Sequence, residues 1–389
     1  MKKGLLILLC LPMIGFGQQT YVPDDNFEAY LESNGMGNGI TNDDYVTTAI
    51  IDAVISLKIS GKNISDLTGI EDFTTLTTLT TLTTLTTLAC DYNQLTSLNV
   101  SQNTALIELK CARNKLTSLD VGGATALNKL DCGTNQLTSL NISNNTALNE
   151  LACQYNQLTS LNVSQNTALT ELKCNHNQLT SLDVKGASDL NKLDCGTNQL
   201  TVLDLNQNTA LTALQCESNK LTSLDVSNNA ALFEFYCDLN QLTNLNVSQN
   251  TALTWLSCER NKLTSLDVSD ATALTELDCG SNQLTSLNVS QNTALNELDC
   301  SSNHLTSLDV GGATALTALD CGSNQLISLN LRNGNNTNLE FETTNNPNLA
   351  CISVDDFQYS YDNWLNVDAP QYFSEDCSTK PTLFEQRYR

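Results

Sequence analysis

The chain has 389 residues, only 5% of them aromatic, with 18 basic against 42 acidic side chains and a formal net charge of −24. So acidic a body argues against nucleic acid and against anionic membrane surfaces as partners. Residues 1–17 read as a secretory signal: Lys2 and Lys3, an apolar run over 4–16, then Gly17 before Gln18. The run is too short to span a bilayer and no second one follows, so no membrane insertion of the mature chain is expected. Leu9 precedes Cys10 where a lipoprotein signal needs a small residue, which argues against lipidation. Cleavage near Gly17 removes two lysines and leaves 16 basic against 42 acidic residues, a charge of −26.

Residues 18–53 read as an N-terminal cap. Asp25 followed by Glu28 is a helix-start signal ahead of Ala29, Tyr30 and Leu31, and a short helix there covers the exposed apolar edge of the first layer. Asn42, Asp43 and Asp44 lack the wider spacing of a calcium loop. Residues 54–84 hold the pattern Val54-x-x-Leu57-x-Ile59-x-x-x-Asn63-Ile64 and most of five Thr-Thr-Leu triplets, which begin at Thr74 and end at Leu88. Leu85 and Leu88 keep register with Cys90, while the upstream triplets are surplus, so an irregular or bulged first layer is expected.

Residues 85–335 carry twelve units of constant length. Cys90, Cys111, Cys132, Cys153, Cys174, Cys195, Cys216, Cys237, Cys258, Cys279, Cys300 and Cys321 recur with one fixed 21-residue period, the mark of stacked equal layers. One unit reads Leu106-x-x-Leu109-x-Cys111-x-x-Asn114-x-Leu116-x-x-Leu119-x-Val121. Both halves alternate apolar and polar residues, so each layer should place a short parallel strand on both sides. The cysteines sit at inward positions and read as buried, inert thiols rather than disulfides or metal ligands. The asparagines three residues after them, Asn93 to Asn324, read as corner residues whose amides bond the same residue one layer away. A second asparagine column (Asn103, Asn145, Asn166, Asn208, Asn229, Asn250, Asn292) is interrupted by Ala124, Ala187, Ala271 and Ala313, and a wetter corner is expected there.

The string L-x-x-L-x-C-x-x-N-x-L resembles the signature of bacterial leucine-rich repeats. Its second half, L-x-x-L-[DN]-V-x-x-[NA], is similar to the nested IRREKO class of exported proteins from Bacteroidetes-type, Gram-negative bacteria. The Val54–Ile70 pattern is similar to an internalin-type repeat, with Asn63 one residue late. The resemblance implies a mainly β, right-handed leucine-rich-repeat solenoid that binds or adheres and carries no catalytic residues or cofactors. Relatives of this kind often continue into a C-terminal secretion and anchoring domain, and no such segment is recognised before Arg389.

Residues 336–389 lose the repeat and gain Tyr359, Tyr361, Trp364, Tyr372 and Phe373 between Cys351 and Cys377, which are expected to pair and close a C-terminal cap. One outward cluster exceeds ordinary surface variation: Phe233, Glu234 and Tyr236 in one layer, Trp255 in the next, with Leu239 and Arg260 near. Tyr155 and His176 share another column. Exposed aromatics beside charges suit an extracellular protein or a glycan, which makes this a secreted or cell-surface protein-binding scaffold, with polysaccharide binding as the alternative. The column Asp131, Asp194, Asp278, Asp299 and Asp320 offers a weaker alternative, divalent ions between layers. The threonine column from Thr96 to Thr306 suggests ice binding, but Thr-Ser between two leucines lies near a corner, the wrong pattern for a flat ice-facing ladder. His176 and His304, the only histidines, lie six repeats apart, and no nucleophile–base–orienter set is visible, so an enzyme is not expected.

Overall fold

The computed structural model describes residues 17–74, 85–364, 367–368 and 371–377; the signal-like segment before Gly17 and residues 75–84 of the Thr-Thr-Leu tract lie outside them. Each Leu-x-Cys core forms a three-residue strand because alternation sends the middle leucine inward and its flanks outward, as in Glu297–Asp299. Fourteen such strands, from Ser56–Lys58 to Glu340–Glu342, pair in parallel into one sheet, about 60 Å long at ~4.8 Å per strand. Glu108 stands opposite Lys129, and Lys129 opposite Glu150, each exactly one repeat further along. The steps at the two ends are longer: Ser56 pairs with Thr87 and Ala318 with Glu340. The last step exceeds the repeat by one position. The first exceeds it by ten, as many as lie in 75–84.

The opposite side carries strands over only part of its length. Ser97–Asn99 pairs with Ser118–Asp120, Ser160–Asn162 with Ser181–Asp183, and a four-stranded group holds Ser307–Asp309, Ser328–Asn330, Cys351–Ser353 and Tyr372–Ser374. A single bridge, Asn246 to Asp267, lies in the stretch between. The expected strand on both sides is thus continuous on one side and interrupted on the other.

Between the two sides lies a dry column. All twelve ladder cysteines are free thiols with no exposed surface, and burial pushes them up, Cys153 to about 12 with Asp131 adding to the effect. Four of them, Cys216, Cys237, Cys279 and Cys321, donate S–H to the carbonyl of the next layer at 3.3–3.5 Å.

The corner asparagines work differently from the amide-to-amide ladder expected. In Asn135, Nδ2 donates to the carbonyls of Cys132 in its own layer and Cys111 in the layer before, both at 3.0 Å. Its Oδ1 accepts from the Leu116 N–H at 3.0 Å. The side chain therefore bonds main chain, because turn carbonyls and N–H groups buried at the corner have no sheet partner. The second column is not wetter but drier: Asn145, Asn166, Asn208, Asn229, Asn250 and Asn292 are fully buried, as are the alanines that replace them. There Nδ2 of Asn145 donates to Val121 and Ala124 at 3.0 and 2.8 Å, while its Oδ1 has no partner. Half of the amide is unused, so alanine substitutes at lower cost than at the first corner. Tight approach accompanies the swap: a Cβ on Gly123, beside Ala124, would lie 1.8 Å from the Ser101 carbonyl oxygen.

Both ends are sealed. The helix α1 (Asp25–Ser33) starts one residue earlier than the Asp25–Glu28 signal indicated: Asp24 is the N-cap, accepting from the N–H groups of Asn26 and Phe27. Its other oxygen accepts from Ser65 N, Ser65 Oγ and Asp66 N, tying helix to first coil, and Phe27 stacks on Phe73. Burial opposes ionisation of Asp24, but these hydrogen bonds outweigh it and hold the carboxyl below its ordinary range. Asn63 is no ladder residue; it takes a left-handed turn at φ 60°. At the other end Cys351 and Cys377 are disulfide-bonded, and Phe341, Trp364 and Phe373 pack edge to face. The coil outlasts its sequence signature. Phe341 takes the leucine place, Thr343 the cysteine place and Asn346 the ladder place, with Nδ2 on Cys321 O and Oδ1 on Leu326 N.

Asn135→Ala should lose about 1–3 kcal/mol, since the buried Leu116 N–H is left without a partner while the Cys111 and Cys132 carbonyls keep the amides of Asn114 and Asn156. Asn145→Ala leaves no backbone group unpaired, because the Val121 and Ala124 carbonyls keep the N–H groups of Ala124 and Leu127, and should lose clearly less; urea unfolding of the two variants compares them directly. Asp24 has a lowered folded pKa, so its contribution is complete above the ordinary carboxylate range and is lost as pH falls through its folded value. Asp24→Asn should therefore destabilise at neutral pH and converge on wild type in acid, read by melts at several pH values.

Candidate functional site

The outward residues of the fourteen-stranded sheet form the most varied surface of the described coils. The register places Glu234 beside Trp255, and Trp255 beside Glu276, in one column. Tyr236 ends its strand on the same face, with its ring centroid 5.7 Å from that of Trp255 and the planes tilted by 39°. Trp255 is 37% exposed, and Phe233, immediately before its strand, is 47% exposed. Behind this patch the wall is rigid: Phe235 and Leu256 are fully buried between the faces. Ser257 donates its hydroxyl to Asp238, which also accepts from Glu259 N–H at 2.9 Å.

Leu239 and Arg260, the other members of the predicted cluster, sit at the turn beyond the strands. They belong to the column of Tyr155 and His176, whose backbone conformation the sequence did not disclose. From Tyr92 to Ser323 the residue two after each ladder cysteine has φ between 51 and 56°, and none of the twelve is glycine. Such a conformation disfavours side chains by roughly 1–2 kcal/mol per residue. Here the N–H is spent on the next layer, as Tyr155 N on Asn175 O and Leu239 N on Glu259 O, so stacking dictates the backbone. Six of the twelve are Ser or Thr; the large ones come in adjacent pairs. Arg113 lies over the Tyr92 ring at 5.1 Å, Tyr155 stacks on His176 at 4.2 Å, and Leu239 precedes Arg260, which is paired with Glu259 at 3.1 Å. Tyr155 and His176 therefore share a column with Leu239 and Arg260, and lie apart from Trp255.

The aspartate column has a structural use. Asp131, Asp194, Asp278, Asp299 and Asp320 each turn one oxygen back to accept the N–H two residues ahead, at 2.8–3.2 Å. Burial, then the neighbouring Asp299 charge, push Asp278 up to about 6 against the stabilising Gly280 N–H. Among the described residues no group of three or more His, Cys, Asp or Glu is arranged to hold a metal ion. Along the threonine column, Thr117 and Thr180 hydroxyls donate to the carbonyl of the threonine one layer before, which leaves them less to offer water.

No family model matches the chain, and no curated protein does. Solved structures do. The functional domain of InlJ from Listeria monocytogenes, which includes a cysteine ladder, is 34% identical over 89% of this chain and 78% of its own, with a TM-score of 0.65. The chain belongs to the bacterial leucine-rich repeat proteins. The leucine-rich repeat protein LIC12759 from Leptospira interrogans is 27% identical, covering 70% of this chain and 72% of that one at a TM-score of 0.59. The internalin InlF from Listeria monocytogenes shares the fold at 23% identity, covering 86% and 96%, with a TM-score of 0.67. Among the described residues of this leucine-rich repeat protein, no helix is long and apolar enough to cross a membrane.

Asp278→Asn keeps the acceptor for Gly280 N–H and removes the charge. Because the folded pKa lies above the unfolded 3.8, ionised Asp278 weakens the fold at neutral pH, and stability rises as pH falls through about 6. The variant should be about 1 kcal/mol more stable than wild type near neutrality, after discounting for solvent screening. The difference should vanish near pH ~4, checked by thermal melts across that range.

Proposed function

We propose that this chain is an exported, non-catalytic scaffold that binds a protein partner through the outward face of its long sheet. The observation that carries the reading is the outward aromatic patch of exposed Phe233 and Trp255 with half-buried Tyr236, on a chain otherwise poor in aromatics. Aromatic side chains on rigid backbone give large contact area at little entropic cost, and they are the residues on which protein interfaces concentrate their energy. Glu234, Leu239 and Arg260 frame that patch with charge and a further apolar surface; Tyr155 and His176 form a second contact further along. Export is supported by the signal-like residues 1–17 and by the Cys351–Cys377 disulfide, which an oxidising compartment maintains. The 10-plus-11 nesting of each 21-residue unit supports the IRREKO class, and with it export from a Gram-negative, Bacteroidetes-like cell as a secreted or surface protein.

Trp255→Ala and Tyr236→Ala should each weaken capture of the partner roughly tenfold or more, the loss of an anchor of about 1.5–2 kcal/mol. A proteomic pull-down from extracellular material with wild type and the two variants reads this out, beside a glycan array with the same three proteins. A protein captured by wild type and lost by both variants supports the reading. Binding only on the glycan array, or capture unchanged in both variants, contradicts it.

A further inference from the structure

The sheet face is electrically divided. At the strand positions of the Cys111 to Cys195 coils, Lys110, Lys129, Lys173 and Lys192 stand among five carboxylates. Three of these lysines form ion pairs with glutamates at 2.5–2.7 Å, so that half is nearly neutral. From the strand Glu234–Tyr236 to the strand Glu340–Glu342 there are eight carboxylates and no Lys or Arg at any strand position. Glu276 and Glu297 face each other across one strand step, as do Asp278 and Asp299, and like charges at ~4.8 Å repel. Two cations in the turns of these coils are engaged elsewhere, Arg260 with Glu259 and Lys262 with the Gln241 side-chain oxygen at 3.4 Å.

On the second strand of the acidic half stands Trp255. Glu234 and Glu276 flank it in the same column, one strand away on either side, and the Tyr236 ring leans toward it. An aromatic face between two carboxylates suits an ammonium or guanidinium group, which gains from the ring quadrupole and from both charges. A divalent ion gains nothing from an indole and wants converging oxygens, yet the aspartates here spend one oxygen each on backbone N–H.

We infer that the partner presents a cationic segment, with one Lys or Arg side chain seated on Trp255 between Glu234 and Glu276 and further basic residues crossing the acidic strands toward Glu340. This rests on the protein-binding reading above and names its partner's chemistry. The acidic stretch covers six strands, about 25 Å, which an extended segment of roughly eight residues crosses. Burial and the Glu297 charge raise Glu276, and burial with the Asp299 charge raises Asp320, so an incoming cation relieves repulsion already present.

The test uses the mature chain and two fluorescein-labelled twelve-residue peptides, one rich in Lys and Arg and one with Glu in their place, followed by anisotropy. The basic peptide should bind, weaken at least tenfold between low and physiological salt, and weaken tenfold or more on Trp255→Ala and on Glu234→Gln with Glu276→Gln. The acidic peptide should not bind. Equal binding of both peptides, no binding of the basic one, or displacement of the basic peptide by calcium at equal ionic strength overturns the inference. If the two glutamine substitutions leave pull-down capture unchanged while Trp255→Ala abolishes it, the cationic seat is wrong and the protein-binding face stands. If neither change affects capture, the face itself is wrong.

Discussion

Everything in this molecule depends on how the chain satisfies its backbone at a corner it must turn once every coil. So short a coil has no room for helices, and its buried turn carbonyls and N–H groups must find side-chain partners. The first asparagine column supplies them, each amide joining two adjacent layers through main chain rather than through its own kind. Because each bond set crosses a layer boundary, no unit is complete without its neighbour. That is why the array needs caps, and why its stability is a sum over neighbours.

That constraint leaves little freedom inside and much outside. Leucine, cysteine and asparagine columns repeat almost without change, because a deviation in one layer is felt in two. The strand positions facing out have no such obligation, and there the chain carries lysines balanced by carboxylates in one half, carboxylates without lysines in the other, and aromatics on the first two strands of the acidic half. The left-handed turn residues lie between these extremes. Stacking imposes their φ, half of the coils accept it with Ser or Thr, and the others put a large side chain on the surface at a conformational cost. A costly residue that points outward is better explained by contact than by folding.

Much of this was legible in the sequence. The 21-residue spacing of the cysteines sets the register that puts Glu234, Trp255 and Glu276 in one column, and the isolated positions of Cys351 and Cys377 marked the disulfide. The misses share a cause, which is that a pattern records side-chain identity and not hydrogen-bond geometry. Asn145 and Asn135 are the same residue type, but only geometry tells that one uses its whole amide and the other half of it. The spacing to Glu28 favoured Asp25 as the helix start, and the reach of Asp24 toward Ser65 decided for Asp24 instead. The added coil at Phe341, Thr343 and Asn346 escaped notice because a step one position too long and the exchange of Cys for Thr broke the period together. The interrupted strands of the opposite side, where the sequence repeats evenly, have no counterpart in any residue pattern.

The central claim is that one register carries all twelve ladder thiols into a dry interior. Quantitative labelling of the mature, unheated chain with a fluorescent maleimide tests it most directly. The account predicts that no ladder thiol reacts in the native protein and that all twelve react once denaturant is added, with Cys351–Cys377 still oxidised. Prompt stoichiometric labelling of the native chain along that column would contradict the stacking and the outer face built upon it.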